Sequence, residues 1–199
     1  MMGNATLVDQ SMATMAGSGA VSTFNYGTKI ITMLLGVGSL ALSTAALPHF
    51  SQMIAVKDWA GLRHTLKTYT RLIFGVSVPL MIGIMLFSEQ IIGILFGRGA
   101  FTADDVYQAA QVQTMFALQI PFFVLTIFLV RVVSALRHNH FLTWGSGINL
   151  FLNIALNYLF VDFFGLKGIA LSTAVVYSIS WLYLSVVTRH LLRVYETAA

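Results

Sequence analysis

The chain has 199 residues, of which 57% are hydrophobic and only 9% are charged. Soluble domains carry about 25% charged residues, so this composition excludes an ordinary soluble globular domain. Cysteine is absent, which excludes disulfide bonds, zinc–thiolate sites and a cysteine nucleophile. The net charge of +4 comes from a few cations located between hydrophobic runs, a pattern typical of a membrane protein and not of a nucleic-acid-binding one.

Six hydrophobic runs predict six transmembrane helices, because about 20 mostly apolar residues cross a bilayer as a helix. The predicted helices cover residues 3–20, 29–48, 70–96, 106–133, 141–162 and 167–189. Residues 53–69 alternate apolar and basic positions at helical spacing and predict an amphipathic helix lying on the membrane surface. The fold class expected is therefore an all-α polytopic membrane protein, in which residues 1–199 form a single six-helix bundle.

Interruptions of these runs predict where the helices end or bend. The second run ends at Pro48, while Pro79 and Pro121 fall inside later runs, where a proline removes a backbone hydrogen bond. Residues 95–105 form a polar hinge that separates the first three hydrophobic runs from the last three. Within it, Thr102 followed by acidic residues predicts the capped start of a helix.

The lysines and arginines are distributed unequally across the predicted membrane. Three are on one side, namely Lys29, Arg98 and Lys167. The other eight are Lys57, Arg63, Lys67, Arg71, Arg131, Arg137, Arg189 and Arg193. Cytoplasmic loops carry the excess of Lys and Arg, so the eight-cation side and both termini are expected to be cytoplasmic.

Polar residues inside the predicted helices need a reason, because they are costly at membrane depth. Asp9 either forms a cation or proton site or lies at the cytoplasmic interface, if the first helix begins later. Asn149, Asn153 and Asn157 form one stripe at a spacing of four, which suits either a hydrated ion site or interhelical packing. Together Asp9, Asn153, Asn157 and Thr173 would supply hard oxygen ligands for a small cation.

Two cations near helix ends, Lys29 and Arg131, either extend toward the interface or attract an anionic headgroup such as a pyrophosphate. Gly168 and Ser172 fit the small-residue spacing of a packed helix pair. The five histidines are scattered, and no GxSxG, HExxH or P-loop pattern occurs. The sequence therefore predicts that the protein is not an enzyme.

Several segments resemble the family of MurJ (MviN) lipid II flippases, within the superfamily of multidrug and lipid-linked oligosaccharide exporters. LFGRGAFTADD at residues 95–105 is similar to the family's LFERGAFT loop. Residues 8–30 resemble its VD…GSVSALNYADRL stretch, and residues 36–51 resemble GVFGVALGTVLLPRLS. Residues 131–139 and 165–175 are similar to the family's RAFYAL and G..GLALATS segments.

The resemblance implies one lobe of a MATE-like flippase. It matches only the second six-helix lobe, so a first, N-terminal lobe is expected to be missing or separate. The implied function is the transport of lipid II, an undecaprenyl-pyrophosphate-linked peptidoglycan precursor, across the bacterial cytoplasmic membrane by alternating access. The alternatives are export of another lipid-linked oligosaccharide or a drug, a membrane enzyme acting on polyprenyl phosphates, or a non-transporting fragment.

The resemblance also implies roles for individual residues. Lys29 takes the place of the arginine of YADRL and would meet the substrate pyrophosphate, and Arg131 is the second candidate substrate-binding residue. Some family members bind sodium in this lobe as a coupling ion. The matching positions in this chain are Asp9, Asn153, Asn157, the Ile169 carbonyl and Thr173.

Overall fold

The computed structural model describes residues 2–15 and 19–197 and is almost entirely helical over them. Its helices are α1 (Met2–Met15), α2 (Ala20–Ala55), α3 (Trp59–Leu86), α4 (Ser88–Phe96), α5 (Ala103–Ala117), α6 (Ile120–Ala135), α7 (Asn139–Phe164) and α8 (Leu166–Thr197). No strand occurs among the described residues. The all-α class is confirmed, with eight described helices instead of six.

Two of the six predicted helices are divided, which accounts for the difference in number. The third separates into α3 and α4 at Phe87, and the fourth separates into α5 and α6 after Ala117. The axes of α5 and α6 are bent by 42°, and Pro121 lies in the first turn of α6, where its missing N–H costs nothing. The bend expected at Pro121 is therefore present, as a break between α5 and α6 just before this residue.

Membrane crossing is supported by length and hydropathy. Among the described residues, four helices are long and apolar enough to span a bilayer, namely α2, α3, α7 and α8, and the bent α5–α6 pair makes a fifth crossing if it counts as one. The chain is thus a multi-pass membrane protein. Residues 16–18 of the predicted first helix lie outside the described residues.

The prediction of a separate surface helix at residues 53–69 is wrong. α2 continues through Pro48 to Ala55, and α3 begins at Trp59 and runs without interruption to Leu86. The buried side chains Leu62, Leu66 and Ile73 lie on one face of α3, so the amphipathic stretch and the apolar stretch have the same helical phase. Because that phase is continuous, nothing interrupts the helix between them.

The turn before α3 is fixed locally. The Asp58 carboxylate accepts a hydrogen bond of 2.8 Å from the Gly61 N–H and caps the helix. The preceding residue, Lys57, has a φ of 57°, which reverses the chain direction between α2 and α3.

The hinge between α4 and α5 contains the expected cap. Thr102 Oγ1 accepts from the Asp105 N–H at 3.2 Å, and an Asp105 carboxylate oxygen accepts from the Thr102 N–H at 2.8 Å. These two bonds form a reciprocal capping box. Hydrogen bonds from the Thr102 side chain and backbone lower the pKa of the partly exposed Asp105 carboxyl.

The interior contains two main apolar clusters, one toward each end of the bundle. The first includes Phe50, Leu125 and Phe128 at the end with eight cations. The second includes Phe24, Phe123 and Ile169 toward the other end. α8 packs against α5, α6 and α7, while α1 packs against α7 and α8. This arrangement brings polar residues of α1, α7 and α8 together beside the second cluster.

Candidate functional site

A buried carboxylate lies where α1 meets α7 and α8. One carboxylate oxygen of Asp9 accepts hydrogen bonds from the side-chain amides of Asn153 at 3.1 Å and Asn157 at 2.9 Å. Its other oxygen accepts from the Thr173 hydroxyl at 3.1 Å. Asp9 is only 3% exposed, so it does not lie at an open interface. The carboxylate is stabilised by three neutral hydrogen-bond donors from two other helices.

A fifth residue, Ser172, extends this group, and we call Asp9, Asn153, Asn157, Ser172 and Thr173 the Asp9 cluster. The Ser172 hydroxyl donates to the Asn157 side-chain oxygen. The backbone carbonyl of Ile169 lies 2.8 Å from Ser172 Oγ and 3.1 Å from Thr173 Oγ1. The structure therefore brings together all five positions that the resemblance assigned to a sodium site, and it adds a serine.

Helical spacing explains how the cluster assembles. Asn153 and Asn157 are four residues apart on α7, and Ile169 and Thr173 are four apart on α8, so each pair lies on one helix face. The close approach of the two helices depends on Gly168, because a Cβ at that position would clash with the carbonyl oxygen of Phe160. The predicted packing role of Gly168 is therefore confirmed, whereas Ser172 does more than pack.

The remaining part of the asparagine stripe connects α7 to α8 in a different way. Asn149 accepts a hydrogen bond of 2.8 Å from the Ser180 hydroxyl. Gly145 lies against the ring of Tyr183. One end of the stripe thus belongs to the buried Asp9 cluster, and the other end provides interhelical contact.

The donor chemistry of the Asp9 cluster suits a small monovalent cation. It offers one carboxylate, two amide oxygens and the hydroxyls of Ser172 and Thr173, and the adjacent Ile169 carbonyl adds a further hard oxygen donor. With one negative charge, it matches the charge of a sodium ion. No group of three His, Asp or Glu residues that could hold a metal occurs in the described part of the chain.

The two cations predicted to meet the substrate lie apart from each other. Lys29 is exposed on α2. Arg131 of α6 donates from Nε to the Ser43 hydroxyl of α2 at 3.0 Å. Ser43 is 14 residues further along α2 than Lys29, which corresponds to about 21 Å along a helix. The structure does not bring Lys29 and Arg131 into one site.

The helix order defines the class of protein as a multi-pass membrane protein with the fold of known transporters. A solved MOP superfamily transporter from Pyrococcus furiosus aligns with 91% of this chain and 39% of its own, with a TM-score of 0.76. At 14% identity that likeness shows the fold alone. A solved lipid II flippase MurJ in an inward closed conformation aligns with 93% of this chain and 39% of its own, with a TM-score of 0.82 at 25% identity.

The chain belongs to the lipid II flippase MurJ family, whose sequence pattern matches residues 4–199. A probable lipid II flippase MurJ of Thermotoga maritima is 30% identical over 180 residues, which are 90% of this chain and 37% of the relative. A probable lipid II flippase MurJ of Vibrio cholerae is 27% identical over 84% of this chain and 32% of its own length. The chain thus spans about a third of the length of these curated relatives.

Proposed function

We propose that this chain forms one lobe of a flippase that carries lipid II across the bacterial cytoplasmic membrane by alternating access. The observation that carries the proposal is the family match over residues 4–199, combined with an alignment to only 39% of a solved lipid II flippase. A first lobe would supply the rest of the transport path.

The exposed face of α2 supports a partner lobe. Lys29, Met33, Val37 and Leu40 are all exposed and lie at spacings of four, four and three, so they share one face. Lys29 is nine residues inside α2, about 14 Å from its start. A cation on an otherwise apolar helix face is better accommodated by a protein interior or a water-filled cavity than by lipid. We therefore place Lys29 in a cavity between the lobes, where it would meet the substrate pyrophosphate.

The charge distribution supports the orientation. The two ends of the bundle carry eight and three basic residues, and the described connections place the 56–58 turn and the α6–α7 turn at the richer end. By the positive-inside rule that end is cytoplasmic, as are both termini.

We further propose that the Asp9 cluster binds sodium and that sodium biases the transport cycle. A ligand shifts an equilibrium between two states only by binding one of them better. The cluster joins α1 to α7 and α8 through a single carboxylate, so an ion there would hold α1 in one position. Both asparagine amides would have to turn over to present their oxygens to the ion.

The transport proposal is tested by expression in bacteria depleted of their own flippase. The chain is expressed alone and with a family first lobe, and growth and lipid II export are followed. We expect rescue only with the first lobe, lost in Lys29→Ala and kept in the control Lys57→Asn. If stable, membrane-inserted protein gives no rescue in either case, lipid II is not the substrate or the chain does not transport.

A further inference from the structure

A groove between α3 and α8 carries an unusual concentration of positive charge. Its volume is about 500 Å³. The basic residues lining it are Arg63, Lys67, Arg71, Arg189 and Arg193. Their spacing of four on each helix aligns three on α3 and two on α8, so the two rows face each other. Like charges four apart weaken a helix, which gives this arrangement a cost that a bound anion would remove.

Most of this charge is uncompensated. Arg63 contacts the Glu196 carboxylate at 2.6 Å. In the described parts of the chain, the side chains of the other four basic residues make no hydrogen bond or ion pair. The groove lining contains no acidic residue.

A buried hydroxyl in the groove also lacks a partner. Thr188 lines the groove on α8 and is 3% exposed, and its Oγ1 forms no hydrogen bond within the described residues. An unpaired buried hydroxyl is unfavourable. An oxygen-rich ligand entering between the basic rows would accept a hydrogen bond from it.

The groove changes from charged to apolar with depth. Its deeper end contains Trp181 and Leu129, and Trp181 packs edge-on against Phe74 at 5.8 Å between ring centroids. Trp181 is eight residues from Arg189 along α8, about 12 Å toward the membrane centre. A phospholipid has the same polarity, with a phosphate at the surface and acyl chains below it.

We propose that the α3–α8 groove binds the headgroup of an anionic phospholipid of the leaflet at the eight-cation end. The phosphate would lie between Arg71 and Arg189 with Thr188 donating to an oxygen, and an acyl chain would lie on Trp181 and Leu129. Basic pockets between transmembrane helices recognise such headgroups. No residue of the groove belongs to the Asp9 cluster or to the Lys29 and Arg131 positions, so this site is independent of the proposed transport function.

Lipid binding to the purified chain tests the site. The chain in detergent micelles is titrated with phosphatidylglycerol, with phosphatidylcholine of the same acyl chains, and with inorganic phosphate, and bound ligand is counted by native mass spectrometry. We expect one tightly retained phosphatidylglycerol and much weaker retention of the other two. Each cation near an anionic lipid contributes about fivefold in affinity, so Arg71→Gln/Arg189→Gln should weaken binding by about 25-fold.

The control removes the same charge outside the groove. Lys57→Asn/Arg137→Asn neutralises two cations at the same end, and both positions have a φ near 60°, which asparagine tolerates. The affinity of this variant for phosphatidylglycerol should be within about twofold of that of the native chain, since a cation contributes about fivefold in affinity only when it lies near the headgroup. Thr188→Val, which keeps the volume and the charge, should weaken binding measurably.

Four outcomes would overturn the proposal. They are equal affinity in the groove variant and its control, equal retention of phosphatidylcholine, binding of inorganic phosphate as tight as that of the lipid, and capture of a hexaglutamate peptide in place of the lipid. The third would indicate a simple anion site, and the fourth a protein partner. Circular dichroism of each variant shows whether the helices are intact.

Discussion

Replacement of Asp9 separates its structural role from its charge. Asp9→Ala removes the acceptor for three buried donors, the two asparagine amides and the Thr173 hydroxyl. A buried donor left without a partner costs about 1–3 kcal/mol, so the free energy of unfolding should fall by about 3–5 kcal/mol after some relaxation of α1.

Asp9→Asn keeps the shape and most of the bonds. Its amide oxygen can accept from Asn153 and Asn157, while its NH₂ group can donate to Thr173 Oγ1. The bonds lose their charge assistance, which roughly doubles the strength of a hydrogen bond, so the loss should be about 1–2 kcal/mol. The two substitutions should therefore differ by about 1–4 kcal/mol in the free energy of unfolding.

The measurement is reversible unfolding in mixed micelles, followed by the fluorescence of the three tryptophans. Asp162→Ala serves as the control, because Asp162 is an exposed acid of α7, and a surface change of this kind should stay within about 0.5 kcal/mol. Sodium should raise the unfolding free energy of the native chain and leave that of Asp9→Asn unchanged. Equal losses for Asp9→Ala and Asp9→Asn would refute the buried hydrogen-bond network.

Three further predictions concern the hinge and the α7–α8 contact. Thr102→Ala removes the cap of α5 and should cost about 1 kcal/mol in unfolding free energy, while an unchanged melting temperature would contradict the capping box. Because the pKa of Asp105 is lowered below its ordinary value of 3.8 in the folded chain, its contribution is present above that pH and is lost as the pH falls through the folded pKa. An Asp105→Asn chain should accordingly lose less stability than the native chain on acidification below about pH 4. Parallel curves of unfolding free energy against pH for the two chains would contradict this contribution of Asp105. Gly168→Ala should lower the free energy of unfolding by about 1–3 kcal/mol, because the added methyl group forces α7 and α8 apart. The control Gly147→Ala has open space at its Cβ and should be neutral or slightly stabilising. Similar effects of the two substitutions would contradict the close packing at Gly168.

The sequence predicted the helical class and the polar stripe because both follow from local periodicity. A spacing of four places Asn153 and Asn157 on one face whatever surrounds them. The cap at Thr102 was also predictable, since its partner is three residues away. Each of these features depends on neighbours within about one helical turn.

Features that depend on the phase between segments were not predictable in the same way. The composition of residues 53–69 differs from that of the next run and so predicts a separate helix, whereas the buried face through Leu62, Leu66 and Ile73 shows one continuous helix. The sequence predicts only a packing role for Ser172, because the hydrogen bond of its hydroxyl to Asn157 depends on the position of α7. The adjacent pair Ser172 and Thr173 was the one local signal of its role.

The most direct test of the account is lipid II translocation in proteoliposomes. The chain is reconstituted together with a family first lobe and fluorescent lipid II, and a membrane-impermeant quencher reports how much lipid II has crossed. The account predicts faster crossing with both lobes than with either alone, and loss of that gain in Lys29→Ala. Crossing at the rate of protein-free vesicles, with both lobes folded and inserted, would contradict the account.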